Sequence, residues 1–232
     1  MSEKNIKFKK LYSEKKYSEI ISEIEKLDET QRPSGLLNLL GACKLLRRHN
    51  NDLISAKSHF KEAYLEEKTS KIGLEALINF INSIAEIFDE KIDIIEENQI
   101  SILINEAILY FDDAEKFFGF NEKLILAIIR IYKRQNNLEK ILFYQKKLID
   151  NKCLSSQILS SYIYRNCFIK TWGQKEFFSF SKILNSNLPI YEKNSLTPLN
   201  NKKNKKIKLA FLSSDIKNFH SITYFLKTVL LN

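Results

Sequence analysis

The chain has 232 residues and a formal net charge of +9, from 37 Lys and Arg against 28 Asp and Glu. Hydrophobic residues make up 44% of it, which is enough for a core and excludes a globally disordered chain. The presence of only 5 Gly and 3 Pro excludes collagen-like segments and argues against a turn-rich all-β fold.

The positive charge is concentrated at the end of the sequence. Residues 201–232 hold seven Lys and one acid, Asp215, for a sum of +6, so residues 1–200 carry only +3. The basic balance therefore reflects one lysine run and not a nucleic-acid-binding face spread over a domain. We interpret the run as part of a solvated linker and do not expect a nucleic acid as partner.

The cysteines and the N-terminus predict a cytoplasmic protein. Cys43, Cys153 and Cys167 are odd in number and widely spaced, which argues against a disulfide framework or a zinc site. The charged N-terminus has no apolar stretch after it, so it is not a signal peptide. The most apolar stretch, 124–132, is too short to span a bilayer, and we expect no membrane partner.

Residues 4 to about 185 are predicted to be helical, because apolar residues recur there at i, i+3, i+4 and i+7. An internal repeat follows the pattern A-x3-F-x2-A, strictly in two segments and with larger or polar residues in two others. The four sets are Ile20, Ile24 and Leu27; Ala56, Phe60 and Ala63; Ala107, Phe111 and Ala114; and Ile141, Gln145 and Leu148. Their starts are separated by 36, 51 and 34 residues.

The helix before three of these segments carries a second pattern, with apolar or small residues at spacings 0, 3 and 4 in the first set and at 0, 3, 4 and 7 in the other two. The sets are Leu37, Leu40 and Gly41; Leu74, Leu77, Ile78 and Ile81; and Leu124, Ala127, Ile128 and Ile131. Small residues such as Gly41 and Ala56 would let two antiparallel helices approach each other closely.

A helix pair of about 34 residues with these patterns resembles the tetratricopeptide repeat. The resemblance assigns 1–150 to helical repeats. The chain departs from the tetratricopeptide pattern at three points: the turn at 47–52 is about three residues too long, about 17 extra residues stand around 89–99, and the closing proline is missing. The resemblance implies a solenoid whose concave groove binds an extended or helical segment of another protein. An irregular helical bundle is the alternative.

The region after the repeats divides into two parts. Residues 151–185 are predicted to form two additional helices, with Trp172 between them as a packing anchor. Residues 186–206 are rich in Pro and Asn, contain most of the lysine run, and are interpreted as a linker.

A single β-turn-α unit is predicted at 207–232. Residues 207–212 form an apolar run typical of a buried strand, and Ser221 is a good N-cap for an amphipathic helix. One strand cannot form a sheet, because independent stability takes about three strands or packing on other elements. We therefore expect the sequence to be truncated within an α/β domain, or its tail to pair with another chain.

The end of the chain is similar to the entry to the catalytic region of the O-linked N-acetylglucosamine transferase family. Bacterial members open that region with K-I-R-I-G-Y-V-S-x-D, then F-R-N-H and a helix containing Y-F-L. Residues 206–215 match the first motif, and Asn218, His220 and residues 224–226 match the others. The stretch 162–180 also resembles the helical segment that precedes this region in bacterial members.

Three residues depart from the family pattern. Ala210 replaces the usual Gly, Ile216 replaces an aromatic residue, and Phe219 is an extra residue that leaves the alignment of the following histidine open. The resemblance implies a catalytic region of two Rossmann-like halves that transfers N-acetylglucosamine from UDP to Ser or Thr hydroxyls. The half that mainly holds the donor nucleotide is not in this sequence, so we expect the chain alone to be inactive.

His220 is the candidate catalytic residue under this resemblance, with Asp215 and Asn218 as supporting residues of the turn. Imidazole titrates near neutrality and can accept a hydroxyl proton, and open α/β sheets bind ligands at the carboxyl ends of their strands. The alternative is that His220 caps the helix or packs. His49 and His59 are expected in ordinary surface or packing roles.

Two functions from different classes follow. The first is the N-terminal part of a glycosyltransferase whose repeats bind an acceptor protein or peptide, and the second is a non-catalytic repeat scaffold. Residues 174–232 contain no glycine, which excludes a dinucleotide loop or a P-loop there. No cofactor or metal is therefore expected, and UDP-N-acetylglucosamine is the donor substrate that the resemblance implies for the full-length enzyme.

Overall fold

The structure is a computed structural model that describes residues 3–91, 97–167 and 172–187. The helices are α1 (Glu3–Ser13), α2 (Tyr17–Glu25), α3 (Ser34–Arg47), α4 (Asp52–Glu66), α5 (Lys71–Lys91), α6 (Glu97–Phe118), α7 (Glu122–Arg134), α8 (Leu138–Asp150), α9 (Ser156–Asn166) and α10 (Gln174–Asn187), with one 3₁₀ turn at Glu29–Gln31.

The expectation of a mainly α fold is confirmed, since most described residues lie in these helices and none lies in a strand. Helices α9 and α10 are the two expected after residue 150, and α10 runs two residues past the expected end at 185. The chain divides into two units, Met1–Leu188 and Pro189–Asn232. The second unit, with the strand predicted at 207–212, lies outside the described residues.

The helices pack in sequence order, each against the next from α1 to α10. In addition, α3 contacts α5 and α5 contacts α7, so alternate helices also touch. Stacked helical hairpins produce this arrangement, because each hairpin packs on its neighbour along one direction. The packing is consistent with a helical-repeat solenoid of five hairpins, from α1–α2 to α9–α10, in the described residues.

The repeated positions of the sequence form the core between the hairpins. The Ala, Phe and Ala positions of α4 and α6 are all at most 2% exposed. The matching positions of α2 and α8 are buried at Ile20, Ile24 and Leu148, and also at the polar Gln145. Leu27, which lies beyond the end of α2, is only half-buried. The shared spacing therefore marks an equivalent packing position in four helices.

Helix α3 connects the two hydrophobic clusters of the described chain. Leu40 and Cys43 pack with α1 and α2, whereas Leu37 belongs to the larger cluster that runs from α3 to α9. At the far end, Trp172 packs against the larger cluster and lies 6.4 Å from the ring of Tyr162. Its expected role as a packing anchor is confirmed.

Ion pairs connect the even-numbered helices of neighbouring hairpins. Lys61 of α4 pairs with Glu106 of α6, and Lys147 of α8 lies 3.0 Å from Glu115 of α6. These side chains are partly exposed, so each pair contributes modestly to stability, about 1 kcal/mol or less. They link neighbouring hairpins at the surface, in addition to the contacts made by the buried core.

The long turn and the extra residues of the repeat pattern each have a structural counterpart. In the long turn between α3 and α4, Arg47 donates hydrogen bonds of 2.9 and 2.8 Å to the Asp52 carboxylate, and the His49 backbone N–H donates a third of 2.8 Å. Arg48 and Asn51 adopt positive φ angles of 55° and 63° there. The extra residues of the third repeat lengthen α5 and α6 to 21 and 22 residues, against 14 and 15 for α3 and α4.

Gly41 sets the distance between α3 and α4. A Cβ atom at this position would lie 2.7 Å from the ring of Phe60, which is fully buried. The ring could not move without disturbing a packed core, because interiors of proteins hold few voids. The small residue expected to allow close helix approach is therefore required where α3 crosses α4.

Replacing Gly41 by Ala should lower the free energy of unfolding by up to about 2 kcal/mol, because overpacking costs about 1–3 kcal/mol and offsets the gain of about 1 kcal/mol in helix propensity. Urea unfolding followed by circular dichroism measures the change. Gly35→Ala is the matched control, since its Cβ would have no neighbour closer than 4.0 Å. If both variants gained stability equally, the claim that the Phe60 ring leaves no room for a Cβ atom at Gly41 would be wrong.

Asp52→Asn should lower the free energy of unfolding at neutral pH by about 1.5–3 kcal/mol, because Asp52 is buried and accepts charge-assisted hydrogen bonds. The Arg47 hydrogen bond holds the pKa of Asp52 below its usual range. The ionised group therefore stabilises the fold above its unfolded pKa of about 3.9, and this contribution is lost as pH falls through the lower folded value.

The measurement is urea unfolding of both proteins at neutral pH and at successively lower pH. The deficit of the Asp52→Asn variant should shrink as the pH falls below about 4. Asp150→Asn is the matched control, because Asp150 pairs with Lys146 on an exposed surface and should contribute less than about 0.5 kcal/mol. A deficit that stayed constant with pH would exclude the Asp52 carboxylate as its source.

Candidate functional site

Two grooves in the described part of the protein are lined mainly by odd-numbered helices. The first, of about 700 Å³, lies among α1, α3 and the start of α5. The second, of about 780 Å³, lies between α7 and α9, with two residues of α8 in its lining. Both volumes are within the range of ligand-binding clefts, about 300–1,000 Å³.

The first groove, which we call the apolar groove, is lined chiefly by hydrophobic side chains. These are Phe8, Tyr12, Leu36, Leu39, Ala42 and Ile72. Ser34 donates a 2.5 Å hydrogen bond to Glu67 at the rim, and Ser70 donates another of 2.7 Å to the same carboxylate. These hydrogen bonds hold the pKa of Glu67 below its usual range. The Glu67 carboxylate therefore links the start of α3 to the turn between α4 and α5 at the rim of the groove.

The second groove, which we call the basic groove, combines cations with an apolar wall. Its defining residues are Leu126, Arg130, Lys133, Ser161, Tyr164 and Arg165. Lys133 and Arg165 also line a smaller adjoining groove of about 350 Å³. The pKa of Lys133 lies below its usual range, because the surrounding protein partly desolvates its ammonium group although the residue is exposed, and because Arg165 and Arg130 lie close to it. Positive charge is therefore crowded at this site.

A hydrogen-bond network holds Arg165 in the basic groove. The Arg165 guanidinium donates to the Ser161 hydroxyl and, at 3.2 Å, to the Ser161 backbone carbonyl. The Gln145 amide of α8 donates to the same hydroxyl at 2.9 Å. Gln145 is 4% exposed, and its Oε1 atom has no hydrogen-bond partner. One buried polar side chain thus positions a cation at the surface.

Direct hydrogen bonds link the odd-numbered helices between the two grooves. The Asn79 amide of α5 donates to Asn38 of α3 at 3.0 Å, and Arg130 of α7 donates to Asn82 of α5 at 2.9 Å. Asn38 lines the apolar groove and Arg130 lines the basic groove. Polar side chains therefore connect the helices that carry both sites.

The residues predicted from sequence as a catalytic site cannot be placed. His220, Asp215 and Asn218 lie outside the described residues, so their roles stay predictions. His49 is exposed in the turn before α4, and His59 lies on α4 with a side chain that is 18% exposed. Neither lines the apolar or the basic groove.

The cations of the basic groove were missed by the sequence analysis. Summing charge over residues 1–200 gives only +3, which hides a local excess, and Arg130 lies inside the stretch 124–132 that was considered only for its apolar character. A usable signal was present: Arg130 and Lys133 stand three apart on one helix face, and α9 contains no acid. Their proximity to Arg165, 32 residues beyond Lys133, could not be read from spacing.

Comparisons with known proteins assign no function to these grooves. No protein-family model matches the chain, and no curated protein matches it. In the described ranges, no group of three or more His, Cys, Asp or Glu side chains could hold a metal ion. No helix among these residues has both the length and the apolar character that a membrane span requires. The grooves and the resemblance at 206–226 are the basis for a functional proposal.

His59 should make stability depend on pH below neutrality. Burial, and next the nearby Lys44, lower the pKa of His59 to about 4. The unfolded chain takes up this proton near pH 6.5 and the folded chain does so only near 4, so folding loses up to about 3 kcal/mol as pH falls through that window. The His59→Gln variant should lack this component.

The measurement is the free energy of unfolding of both proteins at several pH values between about 7 and 4. The difference between wild type and His59→Gln isolates the histidine, because the carboxylates titrate in both proteins. Should that difference be the same at every pH, the burial of the His59 ring described above would be contradicted.

Proposed function

We propose that this chain is a protein-binding region of tetratricopeptide type, whose grooves hold an extended or helical segment of a partner protein. The observation that carries the proposal is the direct contact between alternate helices, α3 with α5 and α5 with α7. In a stack of hairpins this contact generates one face made of first helices, and such faces bind extended segments.

The lining of the grooves supports a protein partner. The apolar groove offers half-buried Leu36 and Leu39 and the more exposed Ile72, which is 40% exposed. Asn38 at its edge can exchange hydrogen bonds with a peptide backbone. Apolar anchors beside polar groups are the usual composition of a surface that recognises protein segments.

The resemblance of residues 206–226 supports a narrower form of the proposal. In it, the bound segment is an acceptor whose Ser or Thr receives N-acetylglucosamine from UDP-N-acetylglucosamine. His220 would take the hydroxyl proton, and Asp215 and Asn218 would shape the turn around it. This form rests on the sequence motif alone, and a non-catalytic scaffold with the same grooves is the alternative.

Selection of peptides of about 12 residues from a displayed library tests the binding function, because an extended chain of that length spans about 40 Å at about 3.4 Å per residue. Affinities of selected peptides for Ile72→Glu should fall about tenfold or more, since a charge replaces an apolar anchor. Fluorescence anisotropy with labelled peptides measures the loss. Enrichment of Ser and Thr among them would favour acceptor binding over a scaffold role.

Ile102→Glu is the matched control for this test. Ile102 lies on α6, is 65% exposed and is not part of the apolar groove. The same substitution there should leave peptide affinity unchanged. Loss of binding in Ile102→Glu with retention in Ile72→Glu would place the binding surface on the even-numbered helices and contradict the proposal.

A further inference from the structure

The basic groove carries positive charge that its own helices do not neutralise. Helices α7 and α9 together contain five cationic side chains and a single acid, Glu122. The cations are Lys123, Arg130, Lys133, Arg134 and Arg165, of which Arg130, Lys133 and Arg165 line the groove. Glu122 also lines the groove, but it stands eleven residues before Lys133, or about 16 Å along the helix. It adjoins Cys153, so it does not neutralise the cations at the other end of α7.

Among the described residues, Lys133 and Arg165 are the groove cations that form no ion pair with a carboxylate. Arg165 is hydrogen-bonded to Ser161, and the charged neighbours that lower the pKa of Lys133 are Arg165 and Arg130. Arg130 differs from them, because it forms an ion pair with Asp89 of α5, with 3.9 Å between Nη2 of Arg130 and Oδ2 of Asp89. Two like charges held close together, neither of them in an ion pair with a carboxylate, favour an anionic partner.

We infer that the basic groove binds an acidic, extended segment of a partner protein, whose carboxylates contact Lys133 and Arg165. This inference rests on the protein-binding function proposed above and adds the chemistry of the partner at one groove. Arg165 suits a carboxylate, because its planar guanidinium can donate two parallel hydrogen bonds. Its contact with Ser161, which Gln145 also holds, reduces the freedom lost on binding.

The wall of the groove favours a protein segment over a nucleic acid. Leu126 is 39% exposed, and the buried Ile129 and Ile158 also line the groove. An acidic peptide with apolar side chains would satisfy both parts of this lining. Nucleic acids are held by series of phosphate contacts, and a site with two unpaired cations offers few of them.

The length of the site sets the length of the segment. Helix α9 has 11 residues and is therefore about 16 Å long. An extended chain advances about 3.4 Å per residue, so about five residues of a partner cover the groove. Acidic residues in such a segment would meet Lys133 and Arg165, and an apolar residue between them would pack on Leu126.

A synthetic six-residue peptide of Glu and Leu, labelled with fluorescein, tests the inference against the same peptide with Gln in place of Glu. The acidic peptide should bind the wild-type chain, and the Gln peptide should bind about tenfold more weakly. The double variant Lys133→Gln/Arg165→Gln should lose about tenfold in affinity for the acidic peptide, and Lys133→Gln alone should lose about threefold. Raising salt from about 50 to about 500 mM should weaken the wild-type complex.

Lys123→Gln is the matched control, because it removes the same charge from the same helix outside the groove. It should bind the acidic peptide as the wild type does. Lys133 is exposed, so its single variant keeps the test valid even if Arg165→Gln disturbs α9. Equal binding of the two peptides, or equal losses in Lys123→Gln and Lys133→Gln, would overturn the inference.

Two further results separate this inference from its rivals. A single-stranded oligonucleotide of six nucleotides that bound more tightly than the acidic peptide, with the same dependence on Lys133, would overturn it in favour of nucleic-acid binding. If library peptides bind through Ile72 but the acidic peptide ignores Lys133, the inference fails and the protein-binding function stands. If library peptides ignore Ile72 while the acidic peptide needs Lys133, the apolar groove is excluded as a binding site and the basic groove remains.

Discussion

The burial of one aromatic ring between small residues of neighbouring helices is the constraint on which the described structure depends. Phe60 and Phe111 occupy equivalent positions in α4 and α6, and both are fully buried. A single hairpin cannot cover such a ring, so stacking of hairpins is needed to remove it from water. The lack of a side chain at Gly41 brings the backbone of α3 against Phe60 and determines the spacing of that hairpin.

This spacing has consequences for the face that the odd-numbered helices form. Because hairpins stack closely, α3, α5 and α7 touch, and their polar residues meet in the pairs Asn38–Asn79 and Asn82–Arg130. The even-numbered helices are joined by ion pairs such as Glu115–Lys147. The core thus organises two different surfaces, and the grooves lie on the one lined by the first helix of each hairpin.

The fold was largely predictable because its signal is local. Apolar residues at helical spacing and the Ala and Phe positions of the repeat identified the helices and their buried faces before any packing was known. The basic groove was less predictable, because a charge count along the sequence does not show which cations are neighbours in space. Lys133 and Arg165 are distant in sequence, and only the stacking of α9 on the preceding hairpin brings them to one groove. The catalytic prediction at His220 lies outside the described residues and is unchanged.

The amino-acid sequence by itself determined the helical fold class, the register of the repeats and the residues of the core, because these depend on periodic burial of apolar side chains. Tertiary structure alone decided which polar residues are neighbours, since contacts such as Asn38 with Asn79 span 41 residues. It also decided that Gln145, at a core position of the repeat, would hold Ser161 and thereby Arg165. Burial is encoded at every turn of a helix, whereas the chemistry of a groove arises only where two distant helices meet.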